Sequence, residues 1–188
     1  MNIVLIGYRA SGKTDVGMKL SRLLGLAFYD TDELIRKRTG KYVRQIIREG
    51  GWPAFRTAEK AVIEGLSGVD GAVIALGGGA VTEQENVEVL KGKGLFIWLQ
   101  ADEAAILDRM RSDGASEELR PPLRGRGMAE EVREMLTERV PVYRAHADLI
   151  VDTTGRSAEQ VAVEIASVIK EQNIGIGAGA GLKDVRRF

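Results

Sequence analysis

The chain has no cysteine, which excludes disulfides and thiolate metal sites. Histidine is almost absent: His146 stands alone with no ligand set around it, and it is predicted to lie at the surface. There is no excess of either charge, with 27 lysines and arginines against 27 aspartates and glutamates. A global field of the kind that draws nucleic acid or an anionic membrane is therefore missing, although local arginines remain free to bind small anions. No segment approaches the roughly 18 consecutive apolar residues that read as a membrane span. The opening run MNIVLI is far too short for one, and it lacks the basic start and cleavage-like segment of a secretory leader. A cytoplasmic protein is expected, with no membrane or nucleic-acid partner. No internal repeat and no second domain can be picked out.

Within those bounds, 188 residues with 44% apolar and 29% charged side chains suit one α/β domain with a sizeable core. Asn2 to Ile6 is a continuous apolar run, as in a strand covered on both faces. A helix is predicted next, with Val16, Leu20, Leu23 and Leu24 on one face and Gly25 ending it. Further strands are predicted at Leu26–Tyr29, Ala72–Leu76, Gly94–Leu99 and Leu149–Val151, with helical patterns between them. One helical stretch stops at Gly50-Gly51, and Pro53 opens the next. Thr82 and Glu85 fit a capping box, Asp102 fits an N-cap, and Pro141 suggests a break in the helix that begins near Met128. The alternation predicts a three-layer α/β sandwich with a parallel sheet of about five strands. Residues 1–172 would form this domain, with a glycine- and proline-bearing lid at about 112–127. Residues 173–188, which include GIGAGAG, read as a flexible tail.

The strongest motif is Gly7-Tyr8-Arg9-Ala10-Ser11-Gly12-Lys13-Thr14, a full match to G-x-x-x-x-G-K-[ST] between a predicted strand and helix. Such a loop aims backbone N–H groups at phosphate oxygens, and the following helix N-terminus adds positive potential. Lys13 would reach the β- and γ-phosphates of a nucleoside triphosphate, and Thr14 would offer its hydroxyl to Mg²⁺. The guanine-reading N-K-x-D pattern is absent, and the chain is short for an elaborate ATP-driven machine.

Asp30 and Asp32 follow the second predicted strand, and their spacing could place both carboxylates on one side of an extended segment. Asp30 would hold a magnesium-bound water, and Asp32 would meet an acceptor hydroxyl. The local alternative is that Asp30 or Thr31 caps the next helix. Arg56 and Arg139 carry planar forks that suit a carboxylate or a phosphate. Alternatively, Arg56 pairs with Glu59 on its own helix, and Arg139 with Glu134 or Glu138. Gly77-Gly78-Gly79 after a strand allows close backbone approach to a ligand, or forms a flexible turn. Trp52 and Phe55 either wall an acceptor pocket or pack the helix, and Trp98 is predicted to be core.

Taken in order, GYRASGKT at 7–14, DTD at 30–32, FRTAE at 55–59, GGG at 77–79, RPPL at 120–123 and ERVPVY at 138–143 resemble the shikimate kinase family. The resemblance spans about residues 2–170. It implies a nucleoside monophosphate kinase-like P-loop fold and transfer of phosphate from ATP to the 3-hydroxyl of shikimate. It implies that Asp32, Arg56, Gly78, Gly79 and Arg139 hold shikimate, and that Thr14 and Asp30 serve the magnesium ion. It further implies that Gly7, Arg9, Ala10, Ser11, Gly12, Lys13, Thr14 and Asp15 surround the ATP phosphates, with Arg109 and Arg156 beside the adenine. Lys13, Asp32 and the lid residue Arg120 are the implied catalytic set. The family also implies a monomer. A kinase for gluconate or a nucleotide would share the loop and lid, and so would a non-catalytic nucleotide-binding protein.

Overall fold

A computed structural model describes residues 1–112 and 127–172. The predicted lid between them, with Arg120, and the predicted tail at 173–188 lie outside the described residues. The chain runs β1 (Asn2–Ile6), α1 (Lys13–Leu24), β2 (Ala27–Asp30), α2 (Thr31–Thr39), α3 (Val43–Gly65) and β3 (Ala72–Ala75). A 3₁₀ turn (Ala80–Thr82) then leads to α4 (Gln84–Lys91), β4 (Gly94–Gln100), α5 (Glu103–Ser112), α6 (Met128–His146), β5 (Leu149–Asp152) and α7 (Ala158–Glu171). Among the described residues, no helix is long and apolar enough to cross a membrane.

All five strands are parallel, in the order β2-β3-β1-β4-β5. β1 is therefore central, and the chain leaves it between neighbours that come later in sequence. Ligands of open parallel sheets bind at such a switch point, outside the carboxyl ends of the strands. Alternation along the strands divides the core. Val4, Ile6, Ile74, Phe96 and Trp98 face one layer, which contains Ile106, Val132 and Tyr143. Ile3, Leu5, Val73, Leu95 and Ile97 face the other, with Val16 and Leu20 of α1 and Val161 and Ile165 of α7. A smaller cluster of Ile35, Ile46, Phe55 and Val62 fastens α2 to α3 beside the sheet.

Some local expectations change. Leu23 is exposed; α1 buries Val16, Gly17, Leu20 and Ser21 instead. The small residues let the helix lie close, since a Cβ on Gly17 would come within 2.5 Å of the Phe28 ring. The break expected at Gly50-Gly51 is present, however: Gly51 has non-helical backbone, φ 72°, and two helical segments of α3 meet there across a kink. Thr82 makes no capping box: it belongs to the 3₁₀ turn, its hydroxyl donates to Gly79 O at 2.7 Å, and Glu83 takes the N-cap position of α4. Pro141 does not break α6, which continues to His146. Loss of one helical hydrogen bond at Pro141 is offset by burial of Tyr143, packed on Trp98 at 5.9 Å between ring centroids. His146 is half-buried, not a surface residue, and burial lowers its pKa. Asp102 does cap α5, accepting from Ala105 N at 2.6 Å.

Candidate active site

The phosphate loop leaves the carboxyl end of β1 in a conformation only its own residues permit. Gly7 has φ +142°, and a Cβ there would lie 2.6 Å from Leu99 O. The loop closes with Ser11 N donating to Tyr8 O at 3.2 Å, and Gly12 forms the N-cap of α1. Lys13 folds back over this ring, with Nζ donating to Gly7 O at 2.9 Å and Tyr8 O at 2.8 Å. An ammonium is thus held against the concave loop at a helix N-terminus, the setting that favours a polyphosphate.

Asp30 takes the local alternative, the cap of α2, and meets Thr14 with its second oxygen. Its Oδ1 accepts from Asp32 N at 2.9 Å and Glu33 N at 3.3 Å, capping α2. Its Oδ2 accepts from the Thr14 hydroxyl at 2.7 Å. A hydroxyl and a carboxylate meeting beside the loop are hard oxygen donors of the kind Mg²⁺ takes alongside waters and substrate phosphates. The described residues contain no cluster of three or more acidic, histidine or cysteine side chains that would form a self-sufficient metal cage. The residues present thus fit a magnesium ion that arrives with the nucleotide.

On one flank of the loop lies a cleft with about 540 Å³ of empty space, and Asp32, Arg56 and Arg139 all line it. Trp52 and Phe55 wall it, and Gly77–Gly79 form its floor. The glycine turn is tied down. Gly77 N donates to the buried Thr31 hydroxyl at 2.9 Å, and the Tyr143 hydroxyl donates to Gly78 O at 2.5 Å. Gly79 admits a guanidinium against its backbone, for a Cβ there would lie 2.5 Å from Arg56 Nη2.

Arg56 is held from several sides. Nη1 donates to Glu59 Oε2, Nε lies 3.7 Å from Glu83 Oε1, and the Trp52 and Phe55 rings flank it at 5.9 and 5.7 Å. Glu59 is only 1% exposed, and its Oε1 has no hydrogen-bond partner. Burial pushes its carboxyl up to about 7, against the pull of Arg56. The pairing weighed from sequence is therefore real, but it is an anchor inside the cleft and not a surface bridge. Arg139 projects over the Tyr8 ring at 5.9 Å. Tyr143 beside it is pushed up to about 12 by burial and stays a neutral donor.

The opposite flank holds a broader groove between the loop and the start of α7, lined by Gly12, Asp15, Arg109, Thr153 and Arg156 among others. Arg109 ties its two sides together, donating to Ala10 O at 3.3 Å and to the Thr153 hydroxyl at 3.0 Å. Arg156 donates to Asp152 O at 3.0 Å and pairs with Glu164. Arg9 points the other way: it lines the acceptor-side cleft and pairs at 2.5 Å with Glu131, which is 1% exposed.

A profile of the family described as shikimate kinase matches residues 9–170. The chain belongs to the shikimate kinase family. The shikimate kinase of Syntrophus aciditrophicus (strain SB) is 42% identical over 183 residues, covering 93% of this chain and 94% of the relative. That of Halorhodospira halophila (strain DSM 244 / SL1) is 39% identical over 170 residues, covering 90% and 94%. Among solved structures, shikimate kinase from Acinetobacter baumannii in complex with shikimate matches with a TM-score of 0.85 at 33% identity, over 93% of this chain and 95% of that one. A gluconokinase from Sinorhizobium meliloti 1021, at 17% identity and a TM-score of 0.56, shares the fold alone.

Five residues of this family member's site escaped the sequence reading: Tyr8, Glu83, Glu131, Tyr143 and Thr153. Tyr8 and Tyr143 lay inside quoted motifs, GYRASGKT and ERVPVY, but nothing in either motif says that Tyr8 lines the cleft or that Tyr143 ties down the glycine turn. Glu83, Glu131 and Thr153 carry no local pattern at all.

Proposed function

We propose that this chain transfers the γ-phosphoryl group of ATP to the 3-hydroxyl of shikimate, giving shikimate 3-phosphate and ADP. The observation that carries the acceptor half is the convergence of Asp32, Arg56 and Arg139 in one cleft beside the phosphate loop. One carboxylate among two guanidiniums suits a small hydroxylated acid: the arginines grip its carboxylate and the aspartate meets its ring hydroxyls. Membership of the family supports the same acceptor.

Phosphoryl transfer asks mainly for positioning and charge stabilisation. Arg56 and Arg139 fix the acid end of the acceptor, and the anchored Gly77–Gly79 turn offers backbone to its ring. Asp32 accepts the hydrogen bond of the attacking hydroxyl and takes its proton as the new O–P bond forms. The bond between the γ-phosphorus and its bridging oxygen breaks, and ADP leaves. Lys13 exchanges its loop carbonyls for β- and γ-phosphate oxygens and offsets their charge. Thr14 and Asp30 would hold a magnesium ion, which would supply further charge neutralisation. Arg109 and Arg156 border the groove that would take the adenine, and the family resemblance assigns Arg120 to the charge of the transferring group. The enzyme works as a cytoplasmic monomer.

A coupled ADP-release assay tests the assignment. Release should depend on shikimate, and gluconate or nucleoside monophosphates should not replace it. ADP release indifferent to shikimate would defeat the proposal.

A further inference from the structure

Arg56 meets two carboxylates of very different standing. Glu59 is buried on the same helix and engages Nη1. Glu83 is 53% exposed, follows the 3₁₀ turn and stands 3.7 Å from Nε. A guanidinium grips a carboxylate best through two parallel N–H bonds. With Nη1 committed to Glu59, the Nε–Nη2 edge keeps both of its atoms available for that grip. Nη2 lies over Gly79, in the floor of the cleft, and Nε is the atom that Glu83 faces.

We infer that Glu83 is an internal competitor of the acceptor carboxylate, an ion-pair partner facing the binding edge of Arg56, and that it sets the enzyme's KM for shikimate. The inference rests on the reading that Arg56 grips that carboxylate. Arg56 does not depend on Glu83 for its position, because Glu59, Gly79 and the Trp52 and Phe55 rings already confine it. Nor does α4 depend on it: Glu83 is its N-cap residue, but the side chain makes no capping hydrogen bond. What Glu83 adds is competition. An incoming carboxylate has to share the charge of Nε with it and lie near its negative charge, beside Asp32 and Glu59, which also line the cleft. The same repulsion discriminates against acceptors with a second acid group near the first.

The test is steady-state kinetics on Glu83→Gln, Arg56→Lys and the double variant. Glu83→Gln keeps the side-chain shape and removes the charge. It should lower the KM for shikimate about two- to fivefold, the range open to an exposed ion pair, with kcat and the KM for ATP unchanged. The advantage should shrink toward none at high ionic strength. In the Arg56→Lys background, where the planar fork is lost, the Glu83→Gln effect should shrink. A purely structural role for Glu83 predicts a raised KM or a lowered thermal midpoint, and either result overturns the inference. If Arg56→Lys weakens shikimate binding while Glu83→Gln leaves it unmoved, this inference alone fails. If Arg56→Lys leaves the shikimate KM unchanged, the parent reading of Arg56 fails and takes this one with it.

Discussion

Arg56→Lys separates the shape of the Arg56 side chain from its charge. The guanidinium bonds the buried Glu59 through Nη1 and leaves its Nε–Nη2 edge for the acceptor. A lysine ammonium can stay near Glu59 but cannot present a planar fork to a second carboxylate at the same time. The expected loss is one charge-assisted hydrogen bond to the acceptor, about 1.5–3 kcal/mol, or roughly ten- to 150-fold in kcat/KM for shikimate. The KM for ATP should stay within about twofold, because the missing interaction belongs to the other substrate. Coupled ADP release, with each substrate varied in turn, reads both. Stability provides the internal control. Because Glu59 keeps a cation beside it in the lysine variant, the melting temperature should fall by only a few degrees, roughly what 1 kcal/mol costs a domain of this size. Arg56→Ala instead strips the buried carboxylate of its partner, and breaking a buried pair in this way costs about 3–5 kcal/mol. The penalty should be smaller in mild acid, where Glu59 escapes it by taking up a proton. A lysine variant with unchanged kcat/KM for shikimate would refute the fork argument. Equal losses for shikimate and ATP would refute it too, by pointing to general distortion of the site.

Three further outcomes follow from the same geometry. Asp32→Asn should cut kcat by about 10²- to 10⁴-fold, the range for loss of a positioned acid–base group, while calorimetry shows nucleotide binding retained. Gly79→Ala should raise the KM for shikimate at least about tenfold, because its methyl would lie 2.5 Å from Arg56 Nη2 and push the guanidinium off the cleft floor; kinetics at saturating ATP check this. Glu59 has a folded pKa of about 7 against an ordinary 4.5, so the folded state binds more protons than the unfolded one between those values. Its contribution to stability is full below about pH 4.5 and is lost as pH rises through about 7, by about 3 kcal/mol at most. Denaturant unfolding across that window should show this slope in the native protein and a flatter one in Glu59→Gln.

Much of the fold was legible because its signals are local. A continuous apolar run ahead of GYRASGKT marks a buried strand, a phosphate loop and a helix within 24 residues, and β1 and α1 lie where that pattern puts them. The boundaries that moved did so for reasons no local pattern carries. Thr82 is drawn into a 3₁₀ turn by the need to hold Gly79 close, so the box it would form with Glu85 never assembles. Pro141 sits within a helix whose last turn is kept by Tyr143, and Tyr143 is kept by Gly78, 65 residues away. Arg9 with Glu131 and Arg109 with Thr153 likewise join residues 122 and 44 positions apart. Side chains of this kind become visible only when the sheet order brings β1, β3, α5 and α6 around one point.

The site residues also show why weighing a structural role against a functional one misleads at such positions. Asp30 caps α2 with one oxygen and meets Thr14 with the other. Arg56 pairs with Glu59 and still lines the cleft. Lys13 closes the loop on its own carbonyls where phosphate oxygens would lie. In each case the structural bond satisfies a charged or polar group that the empty site would otherwise leave unpaired, which would be costly in a partly buried setting. The bond also holds that group in the place where the ligand needs it. At Lys13 a neutral loop carbonyl is a weaker partner than an ionised phosphate oxygen, so exchange on nucleotide binding would run downhill with little rearrangement. Pairing in the empty state is therefore what a preorganised site should show, and at Arg56 the strength of the resident partner, Glu83, becomes a setting on substrate affinity.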